Sequence, residues 1–428
     1  MTERGDFEEF GAGEDMTGWR ELALANAPIT IIDGDRGKNY PSQTDILPQG
    51  YCLFLSTKNV RATGFDFSEC QFITKDKDDS LRKGKIQRND IVLTTRGTVG
   101  NVALYNSKIQ YDNIRINSGM LILRPNIAEI DPIFNFYLMR VLRPEFDTVV
   151  SGSAQPQLPI KDLISLQIVL PPLHEQKAIA AVLSSLDDKI DLLHRQNATL
   201  EAMAEALFRQ WFVVEAREEW EDNTLSCLIE KNFGGDWGKE FVSHDLTQVC
   251  CIRGTDIADI QKGIPSRAPL RFIKKSRLLN SAVATGDLIV EVSGGTENQS
   301  TGRAMFIHSF TADLFPFQIY FSNFCRLIRP VKKECTLFLF HVFRHLYNSD
   351  ELFSYENGTS GIKNLNYNAL LYEEKTKIPP YKLIKNFDIQ CMSYWDKVYK
   401  NKTQIRTLEK LRDTLLPKLM SGDVRVQC

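Results

Sequence analysis

The residues of this chain whose types and spacing could do chemistry are its lysines and arginines. Residues 58–124 carry 12 Lys/Arg against 7 Asp/Glu, and residues 253–333 carry 12 against 6. The first block offers Lys58, Arg61, Lys75, Lys77, Arg82, Lys83, Lys85 and Arg96 as candidates for contact with a polyanion. The second offers Arg253, Lys262, Arg267, Arg271, Lys274, Lys275, Arg277 and Arg303. Dense ammonium and guanidinium groups neutralise phosphates, and a guanidinium held in a turn can also reach the acceptor edge of guanine. Arg96 meets that second condition because Thr95-Arg-Gly-Thr-Val-Gly100 follows a β-rich run. In the longer turn Gly294–Gly302, Asn298 and Gln299 could make paired contacts to adenine, and turn-stabilising hydrogen bonds explain them equally well. A solvated charged face with no ligand is the alternative for both blocks.

Motifs for catalysis fail one by one. Ile378-Pro-Pro-Tyr381 resembles an amino-methyltransferase tetrad, but Ile378 stands where a polar side chain must accept from the target amine. Glu373-Glu-Lys375 lacks the upstream Pro-Asp of a nuclease metal site and reads as a solvated cluster. His341 and His345 are spaced i, i+4 on an apparent helix without the Glu of H-E-x-x-H, which favours packing over metal. Gly34-Asp-Arg-Gly-Lys38 lacks the spacing of a phosphate loop. No catalytic residue, metal ligand or cofactor site is expected in this chain.

The elements that must position the basic residues follow from composition and periodicity. At 428 residues, with 43% hydrophobic and 25% charged residues, the chain suits two or more ordinary globular cores and excludes disorder. No apolar run approaches the ~18 residues of a membrane span, and Met1–Phe10 lacks the blocks of a signal peptide, so a cytoplasmic location is expected. The nine scattered cysteines form no C-x-x-C pair, and reduced thiols are the default. Acidic stretches complement the basic ones: residues 1–15 carry 1 Lys/Arg against 6 Asp/Glu, and residues 173–222 carry 5 against 11.

The chain is one module written twice. Asn89-Asp-Ile-Val-Leu93 returns as Gly286-Asp-Leu-Ile-Val290, and Leu121-Ile-Leu-Arg-Pro125 returns within Phe324–Pro330. Gly152-Ser153, Leu158 and Leu163 match Gly358-Thr359, Leu365 and Leu370; Pro171-Pro172 matches Pro379-Pro380. Asp188-Lys-Ile190 and Thr199-Leu-Glu201 match Asp396-Lys-Val398 and Thr407-Leu-Glu409. Upstream of Gly84 the halves do not align by sequence. Each module opens with short β-rich runs broken by turns, such as Ile91–Thr95, Met120–Leu123 and Leu288–Val292. Each then passes a Pro-Pro pair into a long helix. From Ile179 to Trp211, positions advancing by alternating 4 and 3 are apolar at nine of ten places, a coiled-coil seam. Shifted by 208, the register runs from Phe387 to Leu419 with polar breaks at Asn401 and Arg412; Asn197 and Asn401 read as register-setting breaks. About 40 helical residues make a rod of ~60 Å. An antiparallel pair of rods would hold the two mixed domains apart with approximate twofold symmetry; a parallel pair would crowd both at one end.

Val169-Leu-Pro-Pro-Leu-His-Glu-Gln-Lys-Ala-Ile179 with Leu183–Ile190 resembles the conserved helix of type I restriction-modification specificity subunits. Thr95–Gly100, Gly152-Ser-Ala-Gln155 and Leu415-Leu-Pro-Lys-Leu-Met-Ser-Gly422 resemble other marks of that family, in its order. The second half departs from it, since Tyr381-Lys-Leu-Ile-Lys lacks the Glu-Gln pair of Glu175-Gln176. This leaves the start of the second helix open. The resemblance implies an α+β fold: two mixed α/β target recognition domains separated by two long helices in an antiparallel coiled coil, with internal twofold pseudo-symmetry. The boundaries are an acidic tail 1–16, recognition domain 17–171, helix 172–215, recognition domain 216–379 with a linker at its start, and helix with tail 380–428. It further implies a non-catalytic reader of double-stranded DNA with a bipartite target, docked on two modification subunits and, through the complex, on restriction subunits. S-adenosylmethionine, ATP and Mg belong to those partners. Glu175, Gln176, Phe208, Trp211 and Phe212 are the partner-docking candidates, with core packing the competing reading for Trp211. The rival class is a coiled-coil scaffold for protein partners that never touches DNA.

Overall fold

The computed structural model describes residues 18–152, 156–264, 267–296, 298–358 and 362–426. The acidic tail, Ser153-Ala-Gln155 of the Gly-Ser motif, Thr359 and Cys428 lie outside them. The chain folds into two compact units, the first formed by Met1–Lys189 with Glu409–Cys428 and the second by Ile190–Leu408. The division passes through both long helices, so each unit holds one end of each.

In the first unit an antiparallel sheet runs in the order Ile29–Asp33, Met120–Pro125, Ile91–Thr94, Val102–Leu104. The strand Cys52–Leu55 pairs antiparallel with Phe72–Ile73 and parallel with Ile114–Ile116. The second unit repeats both. Ile229–Gly234, Cys325–Pro330, Leu288–Glu291 and Ala304–Phe306 form the antiparallel sheet, and Leu246–Ile252 lies between Leu270–Lys274 and the parallel Ile319–Phe321. The repeat thus extends upstream of Gly84, where the sequences had diverged beyond alignment. Both faces of these central strands are covered, which is why Ile91–Thr94 and Leu288–Glu291 are buried at every position rather than alternating.

One ion pair recurs in both sheets. Arg124 holds both carboxylate oxygens of Asp90 through Nε at 2.9 Å and Nη2 at 2.7 Å; Arg329 holds Asp287 at the same two distances. Each aspartate also accepts a backbone N–H three residues upstream, from Gln87 at 2.7 Å and Ala284 at 2.8 Å. The preceding residue takes a positive φ in both halves, 77° at Asn89 and 97° at Gly286, a conformation that Asn and Gly adopt at least cost.

Strands Gln167–Leu170 and Thr376–Ile378 each end at a Pro-Pro pair, and the helices Leu173–Arg209 and Tyr381–Ser421 begin immediately after. Their starts are 208 residues apart, which fixes the second start without the Glu-Gln pair. Their seam lies where periodicity put it, with Ile179, Leu183, Ile190, Leu193, Ala204, Phe387, Cys391, Val398, Ile405 and Leu419 all buried. Direction is set inside each unit. In the first, Arg412 Nη1 meets Asp187 Oδ1 at 2.6 Å. In the second, Asn401 Nδ2 donates to Asn197 Oδ1 at 2.9 Å, and Phe208 packs on Phe387 with ring centroids 5.9 Å apart. Positions rise along one helix as they fall along the other, so the pair is antiparallel. A single bond joins Asn401 to Asn197 at the seam while Asn401 Oδ1 has no partner among the described residues, and a slipped register would leave both buried amides unpaired.

His341 lies on the helix Thr336–Asn348 and is almost fully buried, with its ring stacked on Phe208 at 5.7 Å. Burial holds its pKa down to about 3, so it is neutral. The eight described cysteines are free thiols. No helix of the described residues is long and apolar enough to cross a membrane.

Candidate nucleic-acid interface

The first unit's candidates divide by what their charges meet. Lys58 pairs with Glu69 at 3.7 Å, Arg61 with Asp66 at 3.3 Å, Lys77 with Asp45 at 3.1 Å and Lys85 with Asp78 at 2.6 Å. Asp78 is buried and also held by Arg115, so Lys85 belongs to an internal cluster. Lys75, Arg82, Lys83 and Arg96 are exposed and have no ion pair among the described residues. Among this unit's candidates, they are the cations that a phosphate or base can reach without displacing a carboxylate.

Arg96 is positioned by backbone on two sides. Its N–H donates to Gly119 O at 3.2 Å, and it bridges Gln157 in antiparallel fashion. Beneath the turn, Thr94 Oγ1 accepts from Asn101 N at 3.0 Å, and the Thr57 side chain lies against Gly97 and Gly119.

In the second unit Arg271 pairs with Glu240 at 2.9 Å while its guanidinium sits 4.3 Å from the centre of the Trp237 ring. Arg277 pairs with Asp236 at 3.3 Å. Lys262, Arg267, Lys274 and Lys275 are exposed without an ion pair among the described residues. Asn298 and Gln299 are exposed in the turn, which is closed by Thr296 N donating to Gln299 O at 2.8 Å. Arg253 and Arg303 differ from the rest. Arg253 holds both oxygens of Asp256 at 3.0 and 2.8 Å, and Arg303 holds both oxygens of Glu291 at 2.9 and 2.8 Å. Hydrogen bonding to Glu291 raises the pKa of Arg303 further, keeping it charged.

Both arginines line an open cleft of about 750 Å³ with Trp237, Thr255, Gln299, Asn323 and Phe324. Glu291, Asp256, Trp237, Thr255 and Asn323 were absent from the sequence-based candidates. Only one signal pointed to any of them: Glu291 stands inside an apolar strand at the place where the first module has Thr94.

The partner-docking candidates meet groups of their own unit. Gln176 is buried, accepting from Asp131 N at 2.9 Å and donating to Glu129 O at 3.1 Å and Pro171 O at 2.8 Å. Its amide ties the helix start to its own unit. Glu175 is half-buried and accepts from Trp19 Nε1 at 3.0 Å. Phe208 is buried, and Trp211 and Phe212 pack on Phe387 at 6.2 and 5.1 Å, within an aromatic core shared with Phe338. Aromatic side chains with rings on several sides already occupied offer little area to a partner. The apolar side chains exposed beside them are Val213 and Val214.

Each unit thus carries a copy of one sheet module, and a pair of antiparallel helices runs through both units. Residues 32–202 match the family described as Type I restriction modification DNA specificity domain. The chain is 24% identical over 432 residues to the type I restriction enzyme MjaIX specificity subunit of Methanocaldococcus jannaschii, covering 95% of this chain and 92% of that one. It is 28% identical over 202 residues to the type I restriction enzyme HindI specificity subunit of Haemophilus influenzae, covering 46% and 41%. Its fold is also that of the crystal structure of a type I restriction-modification S subunit from M. genitalium, with a TM-score of 0.58 at 16% identity over 96% of this chain and 98% of that one. Residues 32–202 thus match a type I restriction-modification specificity domain, and the chain is similar along most of its length to a type I specificity subunit.

Proposed function

We propose that this chain supplies DNA sequence specificity to a type I restriction-modification complex, each unit reading one half of a bipartite target. The observation that carries this reading is the duplicated sheet module whose two equivalent turns present arginines in different settings. Two copies of one frame with different readers suit a target of two unlike halves. Exposed lysines on the same units supply the sequence-independent attraction to phosphates. The helix pair sets the distance between readers and docks two modification subunits through its exposed faces rather than through its buried aromatics. Methyl transfer to adenine N6, with S-adenosylmethionine, belongs to those subunits, and ATP- and Mg-dependent cleavage to restriction subunits recruited by the complex. This chain itself is non-catalytic and works in the cytoplasm.

The test is a genome-wide map of N6-methyladenine in host cells with and without the gene, under conditions where the modification subunit is expressed. The expected outcome is loss of one split motif, methylated once on each strand. An unchanged map would remove the specificity role and favour a scaffold for protein partners.

A further inference from the structure

The two units use the same backbone frame around their turns, so equivalent positions can be read from hydrogen bonds alone. Thr95 and Arg96 donate to Gly119 O as Val292 and Ser293 donate to Phe324 O. Leu158 N reaches Thr95 O as Leu365 N reaches Val292 O. The short turn Ser56–Asn59, closed by Ser56 N on Asn59 Oδ1 at 2.9 Å, corresponds to Arg253–Asp256, closed by Arg253 N on Asp256 Oδ2 at 2.8 Å. Arg96 is thereby equivalent to Ser293, Thr57 to Gly254, Thr94 to Glu291 and Asn101 to Arg303. At two places where the first unit has neutral polar pairs, the second has an arginine and a carboxylate.

These exchanges depend on one another sterically. A Cβ at position 254 would collide with the Glu291 carboxylate, so glycine replaces the threonine that fills this space in the first unit. A residue change that opens a cleft and two others that line it with held guanidiniums make a built feature.

In both arginines the bonds to carboxylate come from Nε and Nη2, the side edge of the guanidinium. Nη1 has no partner among the described residues in either, and Nη2 of Arg253 has one further contact, to Arg267 O at 3.5 Å. The end edge, formed by Nη1 and the second Nη2 hydrogen, therefore remains as a two-donor fork. Its direction is fixed by the carboxylate, which also cancels most of its net charge. A phosphate gains little from such a group, whereas two neighbouring acceptors on a base edge match it in geometry.

We propose that the second unit reads its half-site from this cleft, with Arg253 and Arg303 as carboxylate-held forks that each take the O6 and N7 acceptors of a guanine. The inference rests on the DNA-reading function proposed above. Phosphate contacts in this unit fall to Lys262, Arg267, Lys274 and Lys275, which are exposed and unpaired among the described residues. The prediction is specific in sign. Deleting the negative charge of Glu291 strengthens binding to any DNA if the cleft acts only through its field, and weakens recognition of one half-site if the carboxylate aims a reader.

The experiment selects from a pool of duplexes with randomised sequence, using the full chain in complex with its modification subunits, and sequences the bound fraction. The wild type is expected to yield a two-part motif. Glu291→Gln and Arg303→Lys should each lose a guanine preference in one part only. Affinity for the wild-type duplex should fall about 10- to 100-fold, with affinity for a scrambled duplex unchanged or higher. Thr255→Trp changes an exposed residue of the cleft without touching either ion pair, and should lose the same part even if Glu291→Gln compromises folding. Unaltered motifs in Thr255→Trp and Arg303→Lys, or tighter binding to both duplexes in Glu291→Gln, overturn the proposal. A wild type that selects no motif at all defeats the DNA-reading function itself, a result distinct from a wild-type motif that the variants leave intact.

Discussion

The turn after Ile91–Thr94 and the turn after Leu288–Glu291 leave equivalent strands of equivalent sheets, yet they present charge in opposite ways. The first carries Arg96 on the turn itself, exposed and without an ion pair among the described residues. The second has Ser293 at that place and brings its arginine from across the turn, clamped on a buried glutamate. What the two share is the frame beneath, down to Asp90–Arg124 and Asp287–Arg329. What they do not share is the set of side chains around the turn, where Ser293, Gly254, Glu291 and Arg303 stand for Arg96, Thr57, Thr94 and Asn101. A duplicated fold thus keeps its interior chemistry fixed while its rim diverges, which is the division of labour expected of a reader whose two copies meet different ligands.

The largest effect should come from that shared interior. Asp90 and Asp287 are almost wholly buried and each is held by an arginine and a backbone N–H. Asp90→Ala and Asp287→Ala should each destabilise their own unit by about 3 kcal/mol, because an arginine is left without its counter-charge. Equal losses in urea denaturation support a common frame. A variant that costs less than ~1 kcal/mol in one half but not the other would break the equivalence.

A smaller effect should separate the two helices. Asp388, equivalent to Ala180 by the 208-residue spacing, is buried, has no partner for Oδ1 among the described residues and is pushed by that burial to a pKa of about 6. Its folded pKa lies above the unfolded value, so the folded state binds its proton more tightly. The stabilising contribution is therefore complete below about pH 4 and is lost as pH rises through about 6. Asp388→Asn should gain about 2 kcal/mol at about pH 7.5 and flatten the stability profile between about pH 4 and 7. A profile identical to wild type would mean that the carboxyl is solvated or paired in solution.

The smallest of the three concerns the rim of the first unit. Arg96→Ala should weaken binding to the native target by about 1 to 2 kcal/mol and relax one half-site. Lys83→Ala should instead weaken binding to all sequences and lower the salt slope by about 1. Should Arg96→Ala behave as Lys83→Ala does, the first unit's turn contacts backbone and its discrimination lies elsewhere.

Much of this architecture was legible from pattern alone. Seam positions advancing by 4 and 3 announced two helices, because a helix that buries one stripe must repeat its apolar residues at that spacing. The matched Asn89–Leu93 and Gly286–Val290 segments announced a duplicated sheet, since a strand covered on both faces has to be apolar throughout. The docking role given to Gln176 and Phe208 was a different matter: a polar amide and a large ring on a helix look alike in sequence whether they meet a partner or their own domain. The basic clusters were visible as counts, but a count cannot tell Lys85, committed to a buried aspartate, from Lys83, open to solvent.

The sequence by itself determined the periodic features: the duplication, the helix seam, the strand cores and the places where charge accumulates. These depend on short-range spacing, which is written directly in residue order. Tertiary structure alone decided which cations are free, that the helices run antiparallel, and that Gly254, Glu291 and Arg303, scattered over 50 residues, build one cleft wall. Hydrogen bonds and ion pairs act over ~3 Å, so their partners are known only once distant segments have been brought that close.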